Sequence, residues 1–148
     1  MQSDVTYLVP TGSSKRVVAD MDQPGTRIAV PRGDASDLRL TAILKHAELV
    51  RVDSIAAAIN LVQAGKINGY AAPRVVLLAL SNKAPGSRVL DDGFANIVWV
   101  AMVPKGKAGH VAYVNDFLEE AKATGLVKHT IDQANLHGLQ VAPSGKAN

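Results

Sequence analysis

Between Arg27 and Leu90 the chain alternates two kinds of segment: short apolar runs of strand length, and stretches whose apolar residues recur every three or four positions. The first pattern suits a strand buried on both faces and the second a helix with one buried face. Strands separated by helical stretches cannot pair as tight hairpins. They feed βαβ crossovers, and these build a mostly parallel, doubly wound sheet with helices on both faces. The expected class is therefore α/β.

The individual elements follow from local chemistry. Val5 to Pro10 is a β-rich run closed by proline, and Thr11 to Ser14 is a polar loop. Asp20 to Gly25 is dense in turn formers. Arg27 to Val30 predicts a strand, after which Leu38, Leu40, Ile43 and Leu44 suggest a buried helix face with Asp34 or Ser36 as its cap. Glu48 to Val52 predicts the next strand. Asp53 or Ser54 then caps a helix whose stripe is Ile55, Ala58, Ile59 and Val62, and Gly65 closes it. Ile67 to Ala72 predicts a third strand. Pro73 sits in the first turn of a helix running to Ser81, and Ser87 to Leu90 gives a fourth strand. Asn96 to Pro104 is long for a strand and could run between two lobes. Two amphipathic helices follow, one on Val111, Val114, Phe117 and Leu118 ending at Gly125, the other on Val127, Ile131 and Ala134 ending near Gly138. The tail from Ala142 to Asn148 is expected to fray.

A chain of 148 residues suits one domain, or one lobe of something larger. Its apolar fraction of 47% and charged fraction of 20% place it among folded proteins rather than disordered ones. The net charge is +3, but the basic residues fall in different elements and only one tryptophan, three tyrosines and two phenylalanines are available to stack bases. A solvated basic surface is expected, with no nucleic-acid partner. Cysteine is absent, which removes disulfides, thiolate nucleophiles and Cys-based zinc sites. Met1 to Asp4 lacks a secretory signal, and no apolar run approaches a membrane span.

Catalytic and cofactor signatures are also missing. The four histidines are widely spaced without HExxH pairing, and GxSxG, GxGxxG and GxxxxGK[ST] do not occur. No metal, cofactor or catalytic residue is expected. The loop Pro31 to Ser36 stands out because it follows a strand and opens a helix, so its N–H groups can face an anion. Asp34 in that loop would repel an anion unless it turns away as a helix cap.

Three stretches carry a family resemblance. Asp20-Met21-Asp22-Gln23-Pro24-Gly25 through Arg27-Ile28-Ala29-Val30-Pro31-Arg32-Gly33 resembles the "short helix, D-x-x-G, strand, ligand loop" opening of the second lobe in family 3 bacterial extracellular (periplasmic) solute-binding proteins, the amino-acid-type ABC transporter substrate-binding proteins. Ala57 to Ala72 is similar to that family's "helix, L-x-x-G-x-x-D-A" segment. Val103-Pro104-Lys105-Gly106 through Val114, Phe117, Lys122, Gly125 and Ile131 is similar to its return strand, "K-G" turn and C-terminal helices. Order and spacing agree over roughly Val5 to Val141.

The resemblance implies a periplasmic-binding-protein type II lobe with crossing hinge strands. It divides the chain into residues 1–24, a hinge strand and remnant of a first lobe; residues 25–97, the ligand-binding lobe; and residues 98–148, the return hinge strand and C-terminal helices. It also implies a chain truncated relative to the family, lacking most of the first lobe and its ligand-gripping arginine. Ligand contacts would fall on Arg32, Gly33, Asp34, Ala35 and Ser36, and on Ala72, Pro73 and Arg74. The family's usual loop has hydroxyl residues where Asp34 and Ala35 stand, and its usual helix opener is an aspartate where Pro73 stands. An ammonium buried there would lack its charge partner, so an ordinary α-amino acid is disfavoured and an anion reaching Arg32 or Arg74 is the better fit.

Function expected on these grounds is non-enzymatic binding of an amino-acid-like or organic-anion solute for an ABC-type uptake system. The partners would be the ligand, a membrane permease and a second copy, in a homodimer formed by exchange of hinge strands. The location would be periplasmic, or cytoplasmic on the strength of the missing signal. Two rivals use the same fold. One is a dehydratase-like enzyme with Asp34 or Glu48 as general acid, and the other is the effector-sensing domain of a transcription regulator.

Overall fold

A computed structural model describes residues 1–10 and 12–145, so Thr11 of the expected loop and residues 146–148 of the expected tail lie outside the described residues. The chain divides into two compact units, residues 4–97 and residues 1–3 with 98–148. In the first, β1 (Gln2–Val9, from Asp4 onward) is followed by a 3-10 turn (Val18–Met21), β2 (Arg27–Pro31), α1 (Ala35–Ile43) and β3 (Glu48–Val52). Then come α2 (Ile55–Gln63), β4 (Gly69–Pro73), α3 (Arg74–Ser81), β5 (Arg88–Val89) and β6 (Ala95–Val98).

The strands form one sheet in the order β3-β2-β4-β1-β5, with β6 also pairing β1. β2 lies parallel to both β3 and β4. β1 is antiparallel to β4 and to β5, so β5 runs with the parallel strands and β1 alone among these five runs against them. This is the expected mostly parallel α/β class. Val5 to Val9 of the expected hinge strand occupy the interior of this sheet and are almost wholly buried.

The chain passes from β2 through α1 to β3 on one side, then through α2 back past β2 to β4. Right-handed crossovers in opposite directions place α1 and α2 on opposite faces. The two cores show this. Leu8, Ala29, Val52, Tyr70 and Ala72 pack with Ala58 and Val62 of α2 and Leu77 and Leu80 of α3. Their strand neighbours Tyr7, Val9, Ile28, Val30 and Ala71 pack with Leu40 of α1 and Met21. Successive strand residues alternate between the layers, as the pleat requires.

Some local expectations hold and others need correction. Asp34 caps α1 through the Asp37 N–H, and Ser36 lies inside the helix. Leu38 is 68% exposed while Leu40 is fully buried, because positions two apart lie roughly 200° apart around a helix. Ile55 is exposed for a related reason: it opens α2, beyond the buried pair Ala58 and Val62. Ser54 provides the α2 cap, and Gly65 follows the helix with φ of 63°. β4 begins at Gly69, and Pro73 is the cap of α3 rather than part of its first turn. The long strand expected from Asn96 to Pro104 stops at Val98, and the next N–H, that of Trp99, donates to the Met1 carbonyl.

The second unit contains α4 (Ala108–Ala123) and α5 (Leu126–Gln133), which pack together with Ala121, Ile131 and Ala142 buried. Val111 and Phe117, expected on a buried stripe, are exposed. Gln2 and Gln140 exchange backbone hydrogen bonds of 2.9 Å, and the Ser3 hydroxyl donates to the Gly138 carbonyl. The segment Ala142 to Gly145 is anchored rather than frayed. Glu119 accepts from the Ser144 hydroxyl at 2.7 Å and the Gly145 N–H at 3.0 Å, while Lys122 donates to the Pro143 carbonyl. Among the described residues, no helix is long and apolar enough to cross a membrane.

The contrast within α1 is testable by urea denaturation. Leu40→Ala is expected to cost about 2–5 kcal/mol by opening a cavity, and Leu38→Ala to change stability by no more than about 0.5 kcal/mol. Equal losses would contradict the assignment of faces.

Candidate functional site at the carboxyl ends of β2 and β4

β2 and β4 are parallel neighbours whose outgoing connections part, α1 leading to β3 and α3 leading towards β5. Such a divergence leaves a crevice at the carboxyl ends of the strands, the usual place for ligands in open α/β sheets. The loop Arg32 to Ser36 and the junction Ala72 to Arg74 both stand on this rim.

The loop is held by its own carboxylates. Gly33 adopts φ of 74°, a left-handed conformation that glycine accepts without strain, and its N–H donates to Asp37 Oδ2 at 2.9 Å. Asp34 Oδ1 accepts the Asp37 N–H at 2.9 Å. Asp37 itself is buried, receiving Arg51 at 2.9 Å and the Thr41 hydroxyl at 3.2 Å. The Gly33 N–H foremost, then Arg51 and Thr41, hold its carboxyl below the ordinary range against the opposing effect of burial. The helix-capping reading of Asp34 is therefore the observed one, and the Gly33 and Asp37 amides face protein carboxylates. The N–H groups of Ala35 and Ser36, at the first two positions of α1, have no intrahelical acceptor.

Both arginines read as anion partners are engaged. Arg32 pairs with Asp53 at 2.7 Å on the surface. Arg74 binds Asp4 through Nε and Nη2, at 2.8 Å and 2.6 Å, and donates to the carbonyls of Leu90 and Asp91. Its guanidinium braces α3 against β1. Ala72 is buried in the core, and Pro73, registered against Val5, presents no charge.

Two pockets border the rim. One, of about 340 Å³, is lined by Arg32, Asp53, Ser54 and Tyr70, among others. Burial, followed by the charge of Asp34, pushes the Tyr70 hydroxyl up to about 12, so it stays protonated at neutral pH. The other, of about 360 Å³, joins Ala35 and Ser36 to Arg39, Asn96 and the apolar side chains of Val5, Phe94 and Ile97. Ser36 is 1% exposed, and its hydroxyl is buried with no hydrogen-bond partner among the described residues. An unpartnered buried hydroxyl costs about 1–3 kcal/mol.

Sequence reasoning missed Arg39, Phe94, Asn96 and Tyr70. Arg39 was within reach, since it lies one turn after Ser36 on the same helix face. Phe94 and Asn96 reach the rim only through the pairing of β6 with β1, which no local pattern encodes. Glu48, a candidate acid in the enzyme reading, starts β3 opposite Arg27, at the amino end of the strand and away from the rim. Among the described residues, no three His, Cys, Asp or Glu side chains are grouped to hold a metal.

The chain has the periplasmic-binding-protein type II fold. It superimposes on a binding component of an ABC transporter from Wolinella succinogenes solved with lysine, with TM-score 0.79, 19% identity, and coverage of 90% of this chain and 59% of that one. An ancestral arginine-binding protein bound to glutamine gives TM-score 0.74 and 19% identity over 94% of this chain and 61% of that one. An ancestral amino acid-binding protein, described as a precursor of cyclohexadienyl dehydratase, gives 0.71 and 20% over 90% and 58%. The chain thus spans about three-fifths of the length of these proteins. No protein-family model matches the sequence. No curated protein matches it either.

The Asp37 cluster has a pH signature. A carboxylate whose folded pKa is depressed contributes stability that is present above its unfolded pKa of about 3.9 and is lost as pH falls through the folded value. Asp37→Asn is expected to lower stability at pH 7 by about 1–3 kcal/mol. In urea melts the gap from the parent should narrow below about pH 4; a gap constant from pH 7 to pH 3 would exclude an ionised Asp37 as the loop's anchor.

Proposed function

We propose that this chain is the second, ligand-closing lobe of a non-enzymatic solute receptor, serving an ABC-type importer in the periplasm. The observation that carries the proposal is the rim itself. Two parallel strands with diverging connections bring residues 32–36 and 73 to one edge, and a pocket beside Ser36 opens there. Neighbours of the same fold include proteins named as amino-acid binders and as parts of ABC transporters, which supports a small-molecule ligand and a membrane permease as partners. Their greater length supports a receptor completed by a further lobe. The enzyme reading is not favoured. Asp34 is engaged in capping α1 and Glu48 stands at the other end of the sheet, so neither is placed to donate a proton at the rim.

The ligand is proposed to enter at Arg32 to Ser36 and Pro73. Ala72 and Arg74 act as supports, one in the core and the other clamped to Asp4. A thermal-shift screen with amino acids, organic acids and opine-like compounds tests this, since a ligand at 100 times its Kd stabilises by about 2.7 kcal/mol. A hit should slow amide hydrogen exchange at residues 33–36. Protection confined to α4 and α5 would relocate the site, and a screen with no hit would remove the proposal.

The proposal extends to a homodimer. Trp99, Val100, Met102, Phe117 and Leu126 are all more than 40% exposed, and exposed apolar residues in such number favour association. Light scattering at rising concentration should report twice the chain mass, and a monomer at the highest concentration would refute this part.

A further inference from the structure

We infer that the pocket beside α1 binds the anionic group of a small, otherwise apolar organic acid, with Arg39 as its charge partner. The inference rests on the proposed function of the rim and names the chemical class that the rim takes.

Cations near the rim divide sharply by their engagement. Arg32 is paired with Asp53, Arg51 with Asp37, and Arg74 with Asp4. Arg39 makes no ion pair or side-chain hydrogen bond among the described residues, and it borders the pocket of about 360 Å³. That volume falls at the lower end of the range typical of small-molecule sites.

Three further features set the class. Ser36, one helical turn before Arg39, borders the same pocket with a buried, unpartnered hydroxyl. The amides of Ala35 and Ser36 open α1, where the helix field favours negative charge. No acidic residue lines the pocket, so an ammonium group would find no counter-charge there, and Pro73 supplies none. Val5, Phe94 and Ile97 form an apolar wall suited to a hydrocarbon or ring, and Asn96 adds one polar group.

The test uses the full chain and a matched pair of probes, phenylacetate and phenylacetamide, which share shape and differ in charge. Calorimetry should show phenylacetate binding and phenylacetamide binding more weakly. Arg39→Gln, at an exposed position and checked by its unchanged melting temperature, should weaken phenylacetate about tenfold or more and leave phenylacetamide unaffected. Ser36→Ala should weaken the phenylacetate complex while the ligand-free protein melts at the same or a higher temperature, because the lost hydroxyl had no partner. Equal binding of the two probes, no binding of phenylacetate, or full phenylacetate affinity in Arg39→Gln would each overturn the inference. If lysine or another cationic compound then protects residues 33–36 from exchange, the receptor reading survives without it. If no compound protects the rim, both fall.

Discussion

The parallel pairing of β2 with β3 on one side and β4 on the other is the constraint from which the rest of this structure follows. β2 lies between two neighbours and beneath helices on both faces, and Ile28, Ala29 and Val30 are completely buried. A strand in that position has no solvated side, so its side chains must satisfy both cores at once. Ala29 faces α2 and α3, while Ile28 and Val30 face α1. The direction of β2 also fixes the direction of β4. That places the loop after Pro31 and the proline that opens α3 on the same edge of the sheet.

Electrostatics then determine what this edge can do. Acidic side chains secure the scaffold: Asp37 ties the Gly33 loop to Arg51, Asp4 ties Arg74 to β1, and Asp22 accepts three successive backbone N–H groups from Lys45 to Ala47. The contacts of Asp37 and Asp4 each engage a charge at the rim, while Asp22 acts at the amino ends of β2 and β3. Polar groups of the rim outside those contacts include the buried Ser36 hydroxyl, the Arg39 guanidinium and the first two amides of α1. On the proposed reading this set suits an anion better than the zwitterion of an ordinary amino acid.

Much of the scaffold was legible in the sequence because it is local. Glu48 to Val52 was bounded correctly by its apolar run and flanking polar residues, and Gly65 and Ser54 were recognisable as helix punctuation. Errors arose where solvent exposure depends on distant packing. Leu38 and Ile55 look like core residues in a hydropathy pattern, yet the sheet covers only the side of each helix that carries Leu40 or Ala58. The exposed apolar residues of α4 and of Val98 to Met102 fall in the same category.

The site was legible in outline only. From the sequence came the order of strands and helices, the glycine that lets the loop turn and the proline at the head of α3, and hence the rim as the candidate site. Tertiary structure alone decided which charges on that rim are already satisfied. Arg74 meets Asp4 from 70 residues away, and Arg32 meets Asp53 across parallel strands. It likewise brought Phe94 and Asn96 beside Ser36 through the β1–β6 pairing. A residue's type and local periodicity fix its preference for helix, strand or burial. Its partner is fixed by which strands come to lie side by side, and that is a property of the whole chain.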